Sequence, residues 1–127
     1  MLVRDVMTSA VLTVGPVHTV RQVASAMAAR KVGAAVVLDP GADGPGILTE
    51  RDVLEAVAGG QDLDAELAAD HLTPDAVMGE PDWDLDRAAA AMIAGGCRHL
   101  VICEAGEVVG VLSVRDVVKA WSEARTT

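Results

Sequence analysis

The sequence predicts an α+β fold (α/β in the broad sense) made of two pseudo-symmetric β-α-β-β-α repeats, and three observations carry that expectation. Gly46-Ile47-Leu48-Thr49-Glu50-Arg51-Asp52-Val53 returns 64 positions later as Gly110-Val111-Leu112-Ser113-Val114-Arg115-Asp116-Val117. Residues 20–39 match residues 85–104 with a shift of 65, the odd residue falling in a longer loop between Asp39 and Gly46. Helical and strand periodicities then follow one another in the same order in both copies. Two short copies that cannot each bury their own apolar face are expected to pack together, and the cleft between them is the natural place for a ligand.

Each element has a local reason. Residues 11–14 are a short apolar stretch ended by Gly15-Pro16. Thr19 with Gln22 reads as a capping box that opens a helix, on which Val20, Val23, Ala24 and Met27 form one stripe. Gly33, after Arg30-Lys31, reads as the helix stop. Residues 34–38 are a continuous apolar run, expected to be a strand buried on both faces. Residues 39–45 are turn chemistry throughout, 46–48 the returning strand, and Thr49 opens a helix that Gly59-Gly60 ends. In the second copy the strand is expected at 75–78, and Asp84 caps the helix bearing Leu85, Ala88, Ala89 and Met92. Strands follow at 100–103 and 108–112 around a tight turn at 104–107, then a helix with Val117, Val118 and Trp121. Residues 61–74 read as a packed, partly helical connector. The expected division is repeat 1 at 1–60, connector at 61–74 and repeat 2 at 75–127.

Composition narrows the function. The chain has 127 residues, 51% of them apolar, so one compact core is within reach, but it has no Phe, no Tyr and two Trp. Base-stacking platforms for single-stranded nucleic acid are therefore lacking, and a formal charge of −9 repels a phosphate backbone. No nucleic-acid partner is expected. No apolar run approaches the ~20 residues that cross a bilayer, and residues 1–10 do not read as a signal peptide, so no membrane partner and a cytoplasmic location are expected. Cys97 and Cys103 read as reduced, buried core thiols, and Met7, Met27, Met78 and Met92 as core packing. Three scattered histidines give no metal spacing, and neither a Gly-x-Ser-x-Gly elbow nor a phosphate-binding Gly-Lys-Thr occurs. No metal, no catalytic residue, no catalytic cofactor and no enzyme activity are expected.

The repeated Gly-apolar-apolar-[Thr/Ser]-x-Arg-Asp segment, each copy closing a unit of about 60 residues, resembles a tandem pair of CBS domains, often called a Bateman module. Asp5-Val6-Met7-Thr8 and Arg98-His99-Leu100-Val101 are similar to the family's usual approaches to its strands. The resemblance covers essentially the whole chain and is closest to the stand-alone bacterial pairs. It implies two repeats packed sheet to sheet, regulatory binding of AMP, ADP, ATP or S-adenosylmethionine in clefts between them, and a signal passed to a dimer or a regulated protein. Such pairs associate into a disc of four repeats, so a homodimer is implied.

Residue by residue, the resemblance assigns ligand binding to Thr49 and Asp52 in the first copy and to Ser113 and Asp116 in the second. The chemistry is independent of the family. A hydroxyl at a helix start, beside free N–H groups, can hold a phosphate oxygen, and an acid one turn on accepts from ribose hydroxyls. Arg51 and Arg115 are adjacent cations for phosphate. The same pairs also read as plain capping boxes, and both readings stay open. The family positions that line an adenine slot are Val11, Ala34 and Ala35 in the first copy, Ala76 and Leu100 in the second, and ordinary core packing accounts for each of them equally as a single residue. Arg98 and His99 stand where the first copy has Gly33 and Ala34, with Arg98 a candidate phosphate contact. The alternative is a ligand-free structural or protein-interaction module; a redox role for Cys97 or Cys103 is a weaker third.

Overall fold

A computed structural model describes residues 1–126. The elements in order are β1 (Thr13–Val14), α1 (Val20–Arg30), β2 (Ala34–Val37), β3 (Gly46–Thr49), α2 (Glu50–Ala58), β4 (Met78–Gly79), α3 (Leu85–Gly95), β5 (His99–Glu104), β6 (Glu107–Ser113) and α4 (Val114–Thr126). They form two three-stranded mixed sheets, β1-β2-β3 and β4-β5-β6. In each, the first strand pairs parallel with the second and the second antiparallel with the third. This is the α+β order the repeats predict.

The helix starts follow the local chemistry. The Gln22 amide donates to Thr19 Oγ1 at 3.1 Å and the Thr19 amide to Gln22 Oε1 at 2.9 Å, the expected capping box. Asp84 accepts from the Asp86 amide at 3.1 Å. The stop of α1 differs from expectation. It falls at Lys31, in the left-handed region at φ 57°, two residues before Gly33; Gly96, at φ 63°, holds the matching place after α3. Gly takes that conformation without the ~1 kcal/mol that a side chain costs there. The first strands are also shorter than expected. Asp75 has φ 51° and Pro74 lacks an N–H, so regular pairing waits until Met78. The second hairpin closes through Ala105 and Gly106, both at positive φ, as a two-residue turn whose twist matches its strands.

The first residues and the expected connector turn out to be copies of one another. Leu2-x-x-Asp5-x-x-Thr8 recurs as Leu67-x-x-Asp70-x-x-Thr73, and each carries a 3₁₀ turn, Val3–Asp5 and Ala68–Asp70. Their hydrogen bonds match one for one. The Val3 amide donates to the Trp83 carbonyl and the Ala68 amide to that of His18, both at 2.8 Å. Thr8 exchanges two backbone bonds with Val111, at 2.9 and 3.0 Å, and Thr73 two with Ile47, at 2.8 and 3.0 Å. Each lead-in segment thus extends a sheet beyond its third strand. The second half of 61–74 is therefore the start of the second repeat rather than a connector.

The segments are also crossed over. One compact unit is residues 1–11 with 77–127, the other residues 12–76. The first repeat's lead-in belongs to the unit built on the second repeat, and the second repeat's lead-in to the unit built on the first. The expected division at 60 and 75 does not follow these packing units, because sequence similarity tracks the copies and packing tracks the exchanged segments.

Each unit has its own aliphatic core. In one, Val3 packs with Leu85, Ala88, Met92, Leu100, Ile102, Leu112, Val117 and Ala120. In the other, Val23, Met27, Ala35, Val37, Leu48 and Ala68 pack together. Each fully buried Leu or Val adds about 1.5–3 kcal/mol of transfer free energy. All four residues of β2 are buried, as the apolar run predicts, but Leu38, the last residue of that run, lies beyond the strand and is 47% exposed. Met27 and Met92 are core residues, but Met78 is 49% exposed and touches Cys103 Sγ at 3.7 Å, because β4 is an edge strand. Both cysteines are free and only half-buried. Among the described residues, no helix is long and apolar enough to cross a membrane.

Two glycines admit the lead-in segments. A Cβ at Gly110 would stand 2.5 Å from Met7 Sδ and 3.1 Å from the Thr8 carbonyl; at Gly46, 2.9 Å from Leu72 Cδ1 and 3.2 Å from the Thr73 carbonyl. Gly110→Ala is expected to cost about 1–3 kcal/mol in urea denaturation. Met7→Ala in the same chain relieves part of that, so the double mutant loses less than the sum of the single changes.

Candidate functional site

No loop separates β3 from α2. Thr49 ends the strand in an extended conformation (φ −109°, ψ 166°) and is the N-cap of the helix. Its amide donates to Asp52 Oδ2 at 2.8 Å, its hydroxyl donates to the same oxygen at 3.0 Å, and the Asp52 amide donates back to Oγ1 at 3.3 Å. Ser113 and Asp116 repeat the two amide bonds between β6 and α4. The Ser113 amide donates to Asp116 Oδ2 at 2.9 Å and the Asp116 amide to Ser113 Oγ at 3.0 Å. All four residues are half-buried. The acid lies in the first helical turn, where the positive end of the helix dipole favours it.

A second strand completes each junction. Ala34 is the cross-strand partner of Thr49, and His99 that of Ser113. The first helical amide is tied back to the residue before that strand. The Glu50 amide donates to the Gly33 carbonyl and the Val114 amide to the Arg98 carbonyl, both at 2.9 Å. The structure thus gathers Gly33, Ala34, Thr49 and Asp52 at one junction, and Arg98, His99, Ser113 and Asp116 at the other. Each offers a hydroxyl, a carboxylate and a helix N-terminus in one small area, a combination suited to a sugar bearing hydroxyls and an attached anion.

The remaining expected residues divide. Arg51 is exposed and its Nε donates to Glu55 Oε1 at 3.1 Å, one turn along α2. Arg115 and Arg98 are exposed. Ala35 and Leu100 are fully buried in the cores of their own units; strand alternation puts them on the face opposite Ala34 and His99. Core packing accounts for both. Val11 and Ala76 sit where the chain passes from one compact unit to the other. Val11 is half-buried, Ala76 is buried, and the Ala76 amide donates to the Pro45 carbonyl at 3.0 Å. One residue was missed. The Glu50 carboxylate folds over Gly33, its Cδ and Oε1 3.5 Å from where a Cβ would begin. The signal was available as a mismatch, since the repeat puts Val114 at that place.

No group of three or more potential metal-ligating side chains occurs among the described residues. Burial pushes the Cys103 thiol above its usual range, so thiolate is scarce at neutral pH.

Two β-α-β-β-α units, each with a hydroxyl–carboxylate pair at a strand–helix junction, define a tandem-repeat α+β protein. The CBS domain profile matches residues 3–59 and again 68–123, and the chain belongs to the CBS domain family. The second match begins at Ala68, inside the expected connector, in line with the lead-in copy described above. The CBS domain-containing protein YhcV of Bacillus subtilis is 33% identical over 116 residues, covering 91% of this chain and 81% of the relative. The CBS domain protein PAE2072 from Pyrobaculum aerophilum, solved in complex with AMP, superposes with a TM-score of 0.83 at 28% identity over the full length of both chains. The CBS domain pair of protein MJ0100, in complex with 5′-methylthioadenosine and S-adenosyl-L-methionine, gives a TM-score of 0.86 at 17% identity over 98% of each chain, a likeness of fold.

Thr49→Ala and Ser113→Ala each remove a cap acceptor and are expected to lower stability by about 1 kcal/mol in denaturant titration, with Thr49→Ser close to wild type.

Proposed function

We propose that this chain is a regulatory, non-catalytic module of the cytoplasm that senses an adenosine-containing ligand, AMP, ADP, ATP or S-adenosylmethionine, and transmits occupancy to a homodimer or to a regulated protein. The observation that carries the reading is the pair of matched junctions, Thr49–Asp52 and Ser113–Asp116, each with a half-buried hydroxyl and carboxylate at a helix start. The AMP complex of the Pyrobaculum aerophilum relative supports the ligand class. In this reading Asp52 and Asp116 accept from ribose hydroxyls, Thr49, Ser113 and the helix amides hold the 5′ group, and Ala34 and His99 flank it. The ligand acts only through a difference in affinity between two arrangements of the assembly. Calorimetry with each of the four compounds tests it. A ligand at ~100 times its dissociation constant is expected to raise stability by about 2.7 kcal/mol. Heat-free titrations and an unchanged melting temperature with all four would discard it.

The completed caps favour a second reading, a ligand-free interaction module, because they already satisfy the Thr49 amide and hydroxyl. Asp52→Ala separates the two. It costs stability in both, but it weakens nucleotide binding only in the first.

Matched apolar side chains support the homodimer. Leu54 and Val57 on α2 correspond to Val118 and Trp121 on α4, and all four are between 43% and 66% exposed. Leu54→Glu combined with Val118→Glu is expected to move the sedimentation coefficient to that of a monomer.

A further inference from the structure

The two junctions share geometry but carry opposite charge. At the five matched places around each helix start, the first has Gly33, Glu50, Arg51, Asp52 and Glu55; the second has Arg98, Val114, Arg115, Asp116 and Lys119. Glu50, Asp52 and Glu55 against Arg51 leave the first at −2. Arg98, Arg115 and Lys119 against Asp116 leave the second at +2. The contrast runs against the background, since residues 65–127 are the more acidic half. It is also built into contacts. Glu50 lies over Gly33, and Arg51, the one cation of the first set, is paired with Glu55. In the second set the residue one turn after Arg115 is Lys119, so that pairing has no counterpart. Arg30 and Lys31, near Gly33 in sequence, close α1 at its carbonyl end, where the dipole favours cations.

Adenosine ligands differ chiefly at the 5′ position. AMP carries a phosphate dianion there, 5′-methylthioadenosine is uncharged, and S-adenosylmethionine carries a sulfonium. A carboxylate at the helix start repels the first and tolerates the others, whereas a guanidinium attracts the first. We propose that the two junctions divide these ligands by charge: the Ser113–Asp116 junction takes the 5′-phosphorylated adenosine through Arg98, and the Thr49–Asp52 junction, screened by Glu50, takes an uncharged or cationic adenosine. Arg98 and Glu50 are the specificity-determining residues. The inference rests on the adenosine-binding reading above and adds which junction takes which ligand.

The test is calorimetry on the full chain with AMP and with 5′-methylthioadenosine, in wild type, Asp52→Ala, Asp116→Ala, Arg98→Gly and Glu50→Val. AMP binding is expected to be lost in Asp116→Ala and kept in Asp52→Ala, with the reverse for 5′-methylthioadenosine. Arg98→Gly is expected to weaken AMP by up to about fivefold while leaving 5′-methylthioadenosine within about twofold, the range for one exposed charge. Glu50→Val is expected to open the first junction to AMP, adding a second binding event. Raising salt should weaken AMP and spare 5′-methylthioadenosine. AMP affinity that falls equally in both Asp variants, or ignores Arg98→Gly and Glu50→Val, overturns the charge division while leaving adenosine binding intact. No heat from either compound in the wild type overturns both.

Discussion

The fold depends on the two backbone bridges that fasten each lead-in segment beside a third strand, Thr8 to Val111 and Thr73 to Ile47. A third strand at the edge of a small sheet leaves unpaired N–H and C=O groups, a liability for any short β structure. The bridges cover part of that edge. They also bring Val3 and Ala68 into the cores, where an aliphatic chain without Phe or Tyr has few bulky side chains to spend. Gly46 and Gly110 ease this close approach, since a Cβ at either would crowd the Thr73 or Thr8 carbonyl and press on Leu72 or Met7. The glycine at the head of each repeated motif therefore serves the lead-in segment, while the hydroxyl and acid that follow serve the helix start.

That division of labour explains the order of the motif. Gly, two apolar residues, a hydroxyl, then an acid three positions on, describe a strand that accepts a neighbour, fills the core with Leu48 or Leu112, and turns directly into a capped helix. With no loop at the turn, the hydroxyl and carboxylate are held by main-chain geometry and by one another. A helix start built so has little conformational freedom left, the condition that preorganisation requires.

Most of this was legible in the residues. The capping box at Thr19 and the two hydroxyl–acid pairs follow from spacing alone and are found in place, and the run 34–38 is buried as far as Val37. What escaped was long-range. Leu2, Asp5 and Thr8 match Leu67, Asp70 and Thr73, but three identities in seven positions are easily passed over, so 61–74 read as a connector. The stop of α1 is not legible because Lys31 adopts a conformation normally left to Gly, while Gly33, two residues on, carries the usual signal. Ala35 and Leu100, for which family position and core packing are both open in the sequence, are turned into the cores by strand alternation. Glu50 is hidden from the repeat pattern because its counterpart is Val114, so it belongs to what the copies do not share.

The crossed lead-in segments also order the birth of the molecule. Residues 12–76 form one uninterrupted unit, so its packing needs no segment from outside that span. The other unit joins residues 1–11 to residues from 77 onward, which are made only after the whole of the first unit. Its residues 1–11 are separated from the rest of the unit by 65 others, and closing a loop of that length carries an entropic cost that the contiguous unit does not have.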